Sequence, residues 1–88
     1  MPALDVVILT QDNCGFCEKA KMLFARLTRE FPLSVSTLAI DSPEGQALAE
    51  RGGVLFPPGI FIDAEPICYG RASEGKIRRE IERRLSIR

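Results

Sequence analysis

Histidine is absent from the 88 residues. With it go the commonest general base and the commonest metal ligand. Cysteine is scarce: three residues, an odd number and too few for a disulfide framework, which excludes a stapled secreted scaffold. No excess of either charge exists, since 12 basic residues balance 12 acidic ones. A neutral chain offers no electrostatic case for nucleic acid or an anionic membrane surface. A long apolar run is lacking as well. The N-terminal Met1-Pro2-Ala3-Leu4-Asp5 carries no basic stretch, and the apolar segment after it is too short for a signal peptide or a membrane span. These absences predict a cytoplasmic protein with no nucleic-acid and no membrane partner. The length predicts a single domain over residues 1–88, near the small end for an independent core. No linker, internal repeat or low-complexity segment divides it.

What is present is Cys14-Gly15-Phe16-Cys17, directly after the apolar Val6-Val7-Ile8-Leu9 and at the start of a helical pattern. Positions i and i+3 share a helix face, so the two sulfurs can meet, bond and be reduced again. Cys14 falls at the helix start, where unpaired backbone N–H groups and the positive end of the dipole favour a thiolate. The thiolate is the reactive form of cysteine. In a chain of this compartment the pair is catalytic or metal-binding rather than a static disulfide.

Leu4 to Thr10 reads as a strand buried on both faces, as in a central parallel strand. Gln11-Asp12-Asn13 is a polar turn, with Asp12 or Asn13 as a helix cap. A helix follows from about Cys14 to Glu30, with Cys17, Ala20, Phe24, Leu27 and Phe31 on an inward stripe, and Pro32 ends it. Leu33 to Ile40 is a second strand. Ser42-Pro43-Glu44 opens a short helix that ends at Gly52-Gly53. After an apolar loop, Gly59 to Asp63 and Ile67 to Tyr69 form a hairpin turned by Asp63-Ala64-Glu65-Pro66. Ser73 caps a last helix in which Ile77, Ile81 and Leu85 recur every fourth residue. The order βαβαββα implies an α/β fold, a small sheet with helices on its faces.

At this point the chain resembles the thioredoxin superfamily, and within it a small glutaredoxin-like dithiol protein. The resemblance covers essentially the whole chain. It rests on the element order, on Cys14-Gly15-Phe16-Cys17 after the first strand, on Pro57-Pro58 before the third, and on Gly70 after the fourth. It implies a thioredoxin-like fold with a four-stranded mixed sheet. It also implies a cis-proline beside the active disulfide, and Pro58 matches that position, since Gly59-Ile60-Phe61-Ile62 then matches the strand that follows. Several positions depart from the glutathione-using pattern. The residue before the cis-proline lends backbone groups to substrate, and here it is Pro57, which has no N–H. A basic residue commonly precedes the active site, and the matching position is Gln11. The family's paired glycines match Tyr69-Gly70, so a phenol narrows the groove. The acidic residue that reads the glutathione amine would fall near Ser73-Glu74.

The expected activity is thiol–disulfide exchange with a protein or small-molecule disulfide. Cys14 is the expected nucleophile and Cys17 the resolving thiol. Gly15 keeps the entrance open, and Phe16 offers an apolar face for substrate contact or for packing. No bound cofactor or metal is expected; glutathione or an upstream reductase would supply electrons to a monomer. A cluster-binding module remains an alternative, because Cys-Gly-Phe-Cys resembles the Cys-Gly-Phe-Ser of cluster-carrying glutaredoxins, although two thiolates fall short of four ligands. A non-catalytic interaction domain is another. Cys68 reads as a small buried hydrophobe. The basic residues Lys76, Arg78, Arg79, Arg83, Arg84 and Arg88, interleaved with Glu74, Glu80 and Glu82, read as a solvated helix face.

Overall fold

The computed structural model describes residues 3–86; Arg88 of the basic stripe lies outside them. Seven elements follow in order: β1 (Leu4–Thr10), α1 (Gly15–Leu27), β2 (Leu33–Ala39), α2 (Pro43–Gly52), β3 (Gly59–Ile62), β4 (Glu65–Tyr69) and α3 (Glu74–Ser86). The strands form one sheet in the order β2-β1-β3-β4. β1 runs parallel to β2 and antiparallel to β3, and β3 pairs antiparallel with β4. The sheet is therefore mixed, and β1 has a parallel neighbour on one side only.

Side chains alternate across a strand, so each strand divides its residues between two faces. Leu4, Val6 and Ile8 of β1 share a face with Ile60 and Ile62 of β3, to which Ile8 and Val6 are paired. They meet Ala20, Leu23, Phe24 and Leu27 of α1 and Ile77 and Ile81 of α3 in one buried cluster. The last helix keeps its every-fourth-residue stripe, with Leu85 partly buried against that cluster. The opposite face carries Leu9 and Phe61, both buried, and α2 lies over it.

Several boundaries differ from the sequence-based expectation. α1 ends at Leu27 rather than near Glu30. The Arg29 and Glu30 amides donate to carbonyls three residues back, at 3.1 and 3.0 Å. This tighter turn swings the chain early enough for Phe31 to pack on the core and for the Pro32 carbonyl to accept from the Leu4 amide at 3.0 Å. Pro32 thus opens the pairing with β1 instead of ending the helix. The hairpin turn is two residues, not four: Asp63 and Ala64 both have positive φ, 49° and 69°, as a type I′ hairpin turn requires. β4 consequently begins at Glu65 and contains Pro66, which an edge strand tolerates.

α2 starts and stops where its sequence signals lie. The Ser42 hydroxyl accepts from the Gly45 amide at 3.0 Å, Pro43 opens the helix, and Gly53 ends it in the left-handed conformation. Gly45 has a further role: a Cβ there would overlap the carbonyl oxygen of Ala39. That position is where α2 backbone meets the end of β2.

Two basic side chains of α3, Arg78 and Arg84, tie it to other elements, while Lys76, Arg79 and Arg83 are exposed as the sequence reading expects. Arg78 pairs with Glu30 at 2.8 Å and Glu74 at 3.3 Å. Arg84, a buried residue, pairs with Glu80 and with Glu65 of β4. Its guanidinium ties α3 to the edge strand β4.

Candidate active site

Three loops converge at one end of the sheet because of the strand directions. β1 ends there and runs into residues 11–14. Leu9 pairs with Gly59 and Gly59 with Tyr69, so the start of β3 and the end of β4 lie at the same end. Cys14, Pro58 and Gly70 are brought together by this topology alone.

Cys14 and Cys17 are joined in a disulfide, with Cα atoms 5.2 Å apart. Cys14 is not in the helix; it is its N-cap, with extended backbone, and its Sγ accepts from the Cys17 amide at 3.1 Å. Neither Asp12 nor Asn13 caps the helix. Asn13 has φ 57°, whereas a cap residue needs the β region. The sulfur thus sits among orphan N–H donors at the positive end of the helix. Cys14 is partly exposed, whereas Cys17 is completely buried on the inward stripe of α1. Gly15 is exposed, and no atom would meet a Cβ on it, so the entrance is open. Gln11 lines the mouth beside Cys14 with Asp12, Asn13 and Glu18. Phe16 is 47% exposed and lies under the Lys19 ammonium, 5.6 Å from the ring centroid.

The cis peptide bond is Pro57–Pro58, at the position the family resemblance implies. Pro58 is buried, and its carbonyl accepts from the Gly70 amide at 2.7 Å. Gly70 has φ 76°, and a Cβ on it would lie 2.7 Å from the Phe56 ring. Both facts favour glycine there. Tyr69 is partly exposed and meets the Phe56 ring edge-on at 5.2 Å. Sequence reasoning passed over Phe56 as part of an apolar loop. Its adjacency to Pro57 was the available signal, since a loop aromatic beside a fixed proline turn has its direction set.

The carboxylate of Glu74 is engaged, by Arg26 at 3.2 Å and Arg78 at 3.3 Å. Those guanidinium hydrogen bonds hold its carboxyl below the usual range. Ser73 caps α3, accepting from the Lys76 amide at 3.4 Å. Cys68 on β4 is half-buried against the core, and burial pushes its thiol up, away from the reactive form. Among the described residues no cluster of three or more potential metal-ligating side chains occurs. No described helix is long and apolar enough to cross a membrane.

Comparison with known proteins agrees with this geometry. A probable thioredoxin from Archaeoglobus fulgidus is 24% identical over 76 residues, 86% of this chain and 84% of that protein. Among solved structures, a single-site mutant of thioredoxin from Halobacterium salinarum matches with a TM-score of 0.71 at 24% identity, over 93% of this chain and 74% of that one. Glutaredoxin 1 from Francisella tularensis, complexed with cacodylate, matches with a TM-score of 0.53 at 24% identity, over 96% and 99%. The fold is thioredoxin-like. The glutaredoxin family model matches residues 6–67, a span that holds both bonded cysteines and the cis-proline. On that match the chain belongs to the glutaredoxin family of thiol–disulfide oxidoreductases.

Proposed function

We propose that the protein reduces disulfides of protein or small-molecule substrates through the Cys14–Cys17 dithiol, with Cys14 attacking and Cys17 resolving. The observation that carries this reading is the contrast within the bonded pair: Cys14 reaches the surface and Cys17 is wholly buried. Access governs which thiol meets a substrate first.

In the reduced protein the Cys14 thiolate attacks one substrate sulfur. A mixed disulfide forms, the substrate S–S bond breaks, and the other substrate sulfur leaves as a thiolate. The Cys17 thiol then loses its proton and attacks Cys14 Sγ. The Cys14–Cys17 bond forms, the second substrate thiolate departs, and the leaving thiolates take up protons. Two electrons pass from the protein dithiol to the substrate. The Cys17 amide that donates to Cys14 Sγ would stabilise the same sulfur as a thiolate.

The donor that returns two electrons is, in this reading, a flavoprotein reductase rather than glutathione. Pro57 has no N–H to offer a glutathione backbone, Glu74 is held by two arginines, and Gln11 supplies no charge. The protein would work as a monomer in the cytoplasm without a bound cofactor. Replacing Cys17 with Ser and mixing with a disulfide substrate should trap an adduct on Cys14 visible by mass spectrometry. Replacing Cys14 with Ser should abolish turnover. Faster alkylation of Cys17 than of Cys14 in the reduced protein would reverse the roles, and efficient turnover with glutathione and its reductase would sink the donor assignment.

A further inference from the structure

A groove of about 470 Å³ runs along α1 from Phe16, a residue between the two cysteines. Phe16, Lys19, Leu23 and Arg26 line one wall; their spacing of three and four residues places them on one helix face. From Phe16 to Arg26 that wall is about 15 Å long at the helical rise of 1.5 Å per residue. An extended chain advances about 3.3 Å per residue, so the groove accepts roughly four residues. Arg71 and Glu74, from the segment that enters α3, form the other wall.

The charge of this groove is one-sided. Its single acid, Glu74, is shared by Arg26 and Arg78. Lys19 and Arg71 have no acidic partner among the described residues; Lys19 makes only its contact with the Phe16 ring. Arg71 is exposed. Across Cys14 the mouth is lined by two acids instead, Asp12 and Glu18, of which Glu18 is paired with Lys21 at 2.7 Å. The cations without an acidic partner thus lie on the α1 side of the reactive sulfur, and Asp12 lies on the other.

We propose that this groove selects protein substrates whose reactive cysteine is flanked on one side by acidic residues, an extended acidic segment lying along α1 against Lys19 and Arg71. The proposal rests on the oxidoreductase reading and names the substrate class of that site. Opposite charges in a cleft raise association rates and suppress wrong partners, and Phe16, at the head of the groove, meets the apolar side of the segment next to the disulfide.

The test uses synthetic peptide disulfides that carry glutamates or lysines on one side of the cysteine, made in both chain directions. In at least one direction the acidic peptide should exceed its basic counterpart about tenfold in kcat/KM at low salt. The advantage should collapse at about 0.5 M salt, where the screening length is only a few ångströms. Reversing charge at Lys19 and Arg71 together should invert the ratio, while K19R should keep it; a general loss of activity cancels from a ratio. Charge reversal at Arg51, which lines a cleft on the α2 side of the sheet, controls for the loss of a cation elsewhere on the surface and should leave the ratio in place. Equal rates for acidic and basic peptides in both directions would overturn the proposal, as would a preference that survives the Lys19 and Arg71 reversal. Should the double variant fail to fold, the wild-type ratio and its salt dependence decide alone. Hydroxyethyl disulfide, which is uncharged, separates the two readings. If the wild type reduces it without discriminating the peptides, only the groove assignment fails. If neither it nor any peptide is reduced, the oxidoreductase reading fails as well.

Discussion

On one face of the sheet, Leu4, Val6, Ile8, Ile60 and Ile62 are fully buried beneath two helices. On the other, Leu9 and Phe61 are fully buried, Val7 is half-covered, and α2 contributes only Gly45 to the buried set. The first face is held by interdigitated side chains, and the second largely by close backbone approach. Both cysteines belong to the first, since Cys17 lies on the inward stripe of α1 and Cys14 caps that helix. The redox pair is therefore seated on the densely packed side, and the thinner side bears on it only through β1 and β3.

The sharpest way to break this contrast is Phe24→Ala, which empties a fully buried site. The expected loss is about 3–5 kcal/mol, set against roughly 4–13 kcal/mol for a domain of this length. Urea unfolding should show a large drop in midpoint, and the variant should lose Cys17 protection from alkylation at the same time. Gly45→Ala comes next. Its new Cβ meets the Ala39 carbonyl, so α2 must shift, at a cost of about 1–3 kcal/mol. Here the alkylation rates of Cys14 and Cys17 should stay close to wild type. Equal disturbance of the cysteines by both substitutions would show that the two faces are mechanically one.

The smallest effect is electrostatic. Hydrogen bonds from Arg78 hold the Glu30 carboxyl below its ordinary range, and hydrogen bonds from Arg26 and then Arg78 do the same for Glu74. Carboxyls depressed in the folded state add stability above their unfolded pKa of about 4.3, and that stability disappears as pH falls through the folded value. Arg78→Gln should lower the melting temperature slightly at pH 7 and not at all once both carboxyls are protonated. Salt should shrink the difference, because these pairs are exposed. A pH-independent difference would assign Arg78's contribution to its contact with the Phe31 ring instead.

Local chemistry made much of this legible. Ser42, Pro43 and Gly53 bound α2 because caps and breakers act within one turn of chain. The Cys14–Cys17 spacing predicted a bonded pair, and the bond forms although Cys14 is the extended N-cap of α1 rather than a helical residue. The end of α1 was not legible, because Leu27 is set by the reach of Phe31 to the core and of Pro32 to β1. Nor was the capping sulfur: the turn places Asn13 in a left-handed conformation and leaves Cys14 to accept the amide. Glu74 read as a loose candidate for a ligand amine, yet Arg26, from a helix far earlier in the chain, claims its carboxylate.

By itself, then, the sequence determined the element order, the redox pair and the helix face that carries it, since each depends on neighbours within a few residues. Tertiary structure alone decided which acids are already paired, and that Lys19 and Arg71, along one groove, have no acidic partner among the described residues. Those properties come from residues distant in the chain that packing brings within a few ångströms, where desolvation and charge pairing take effect.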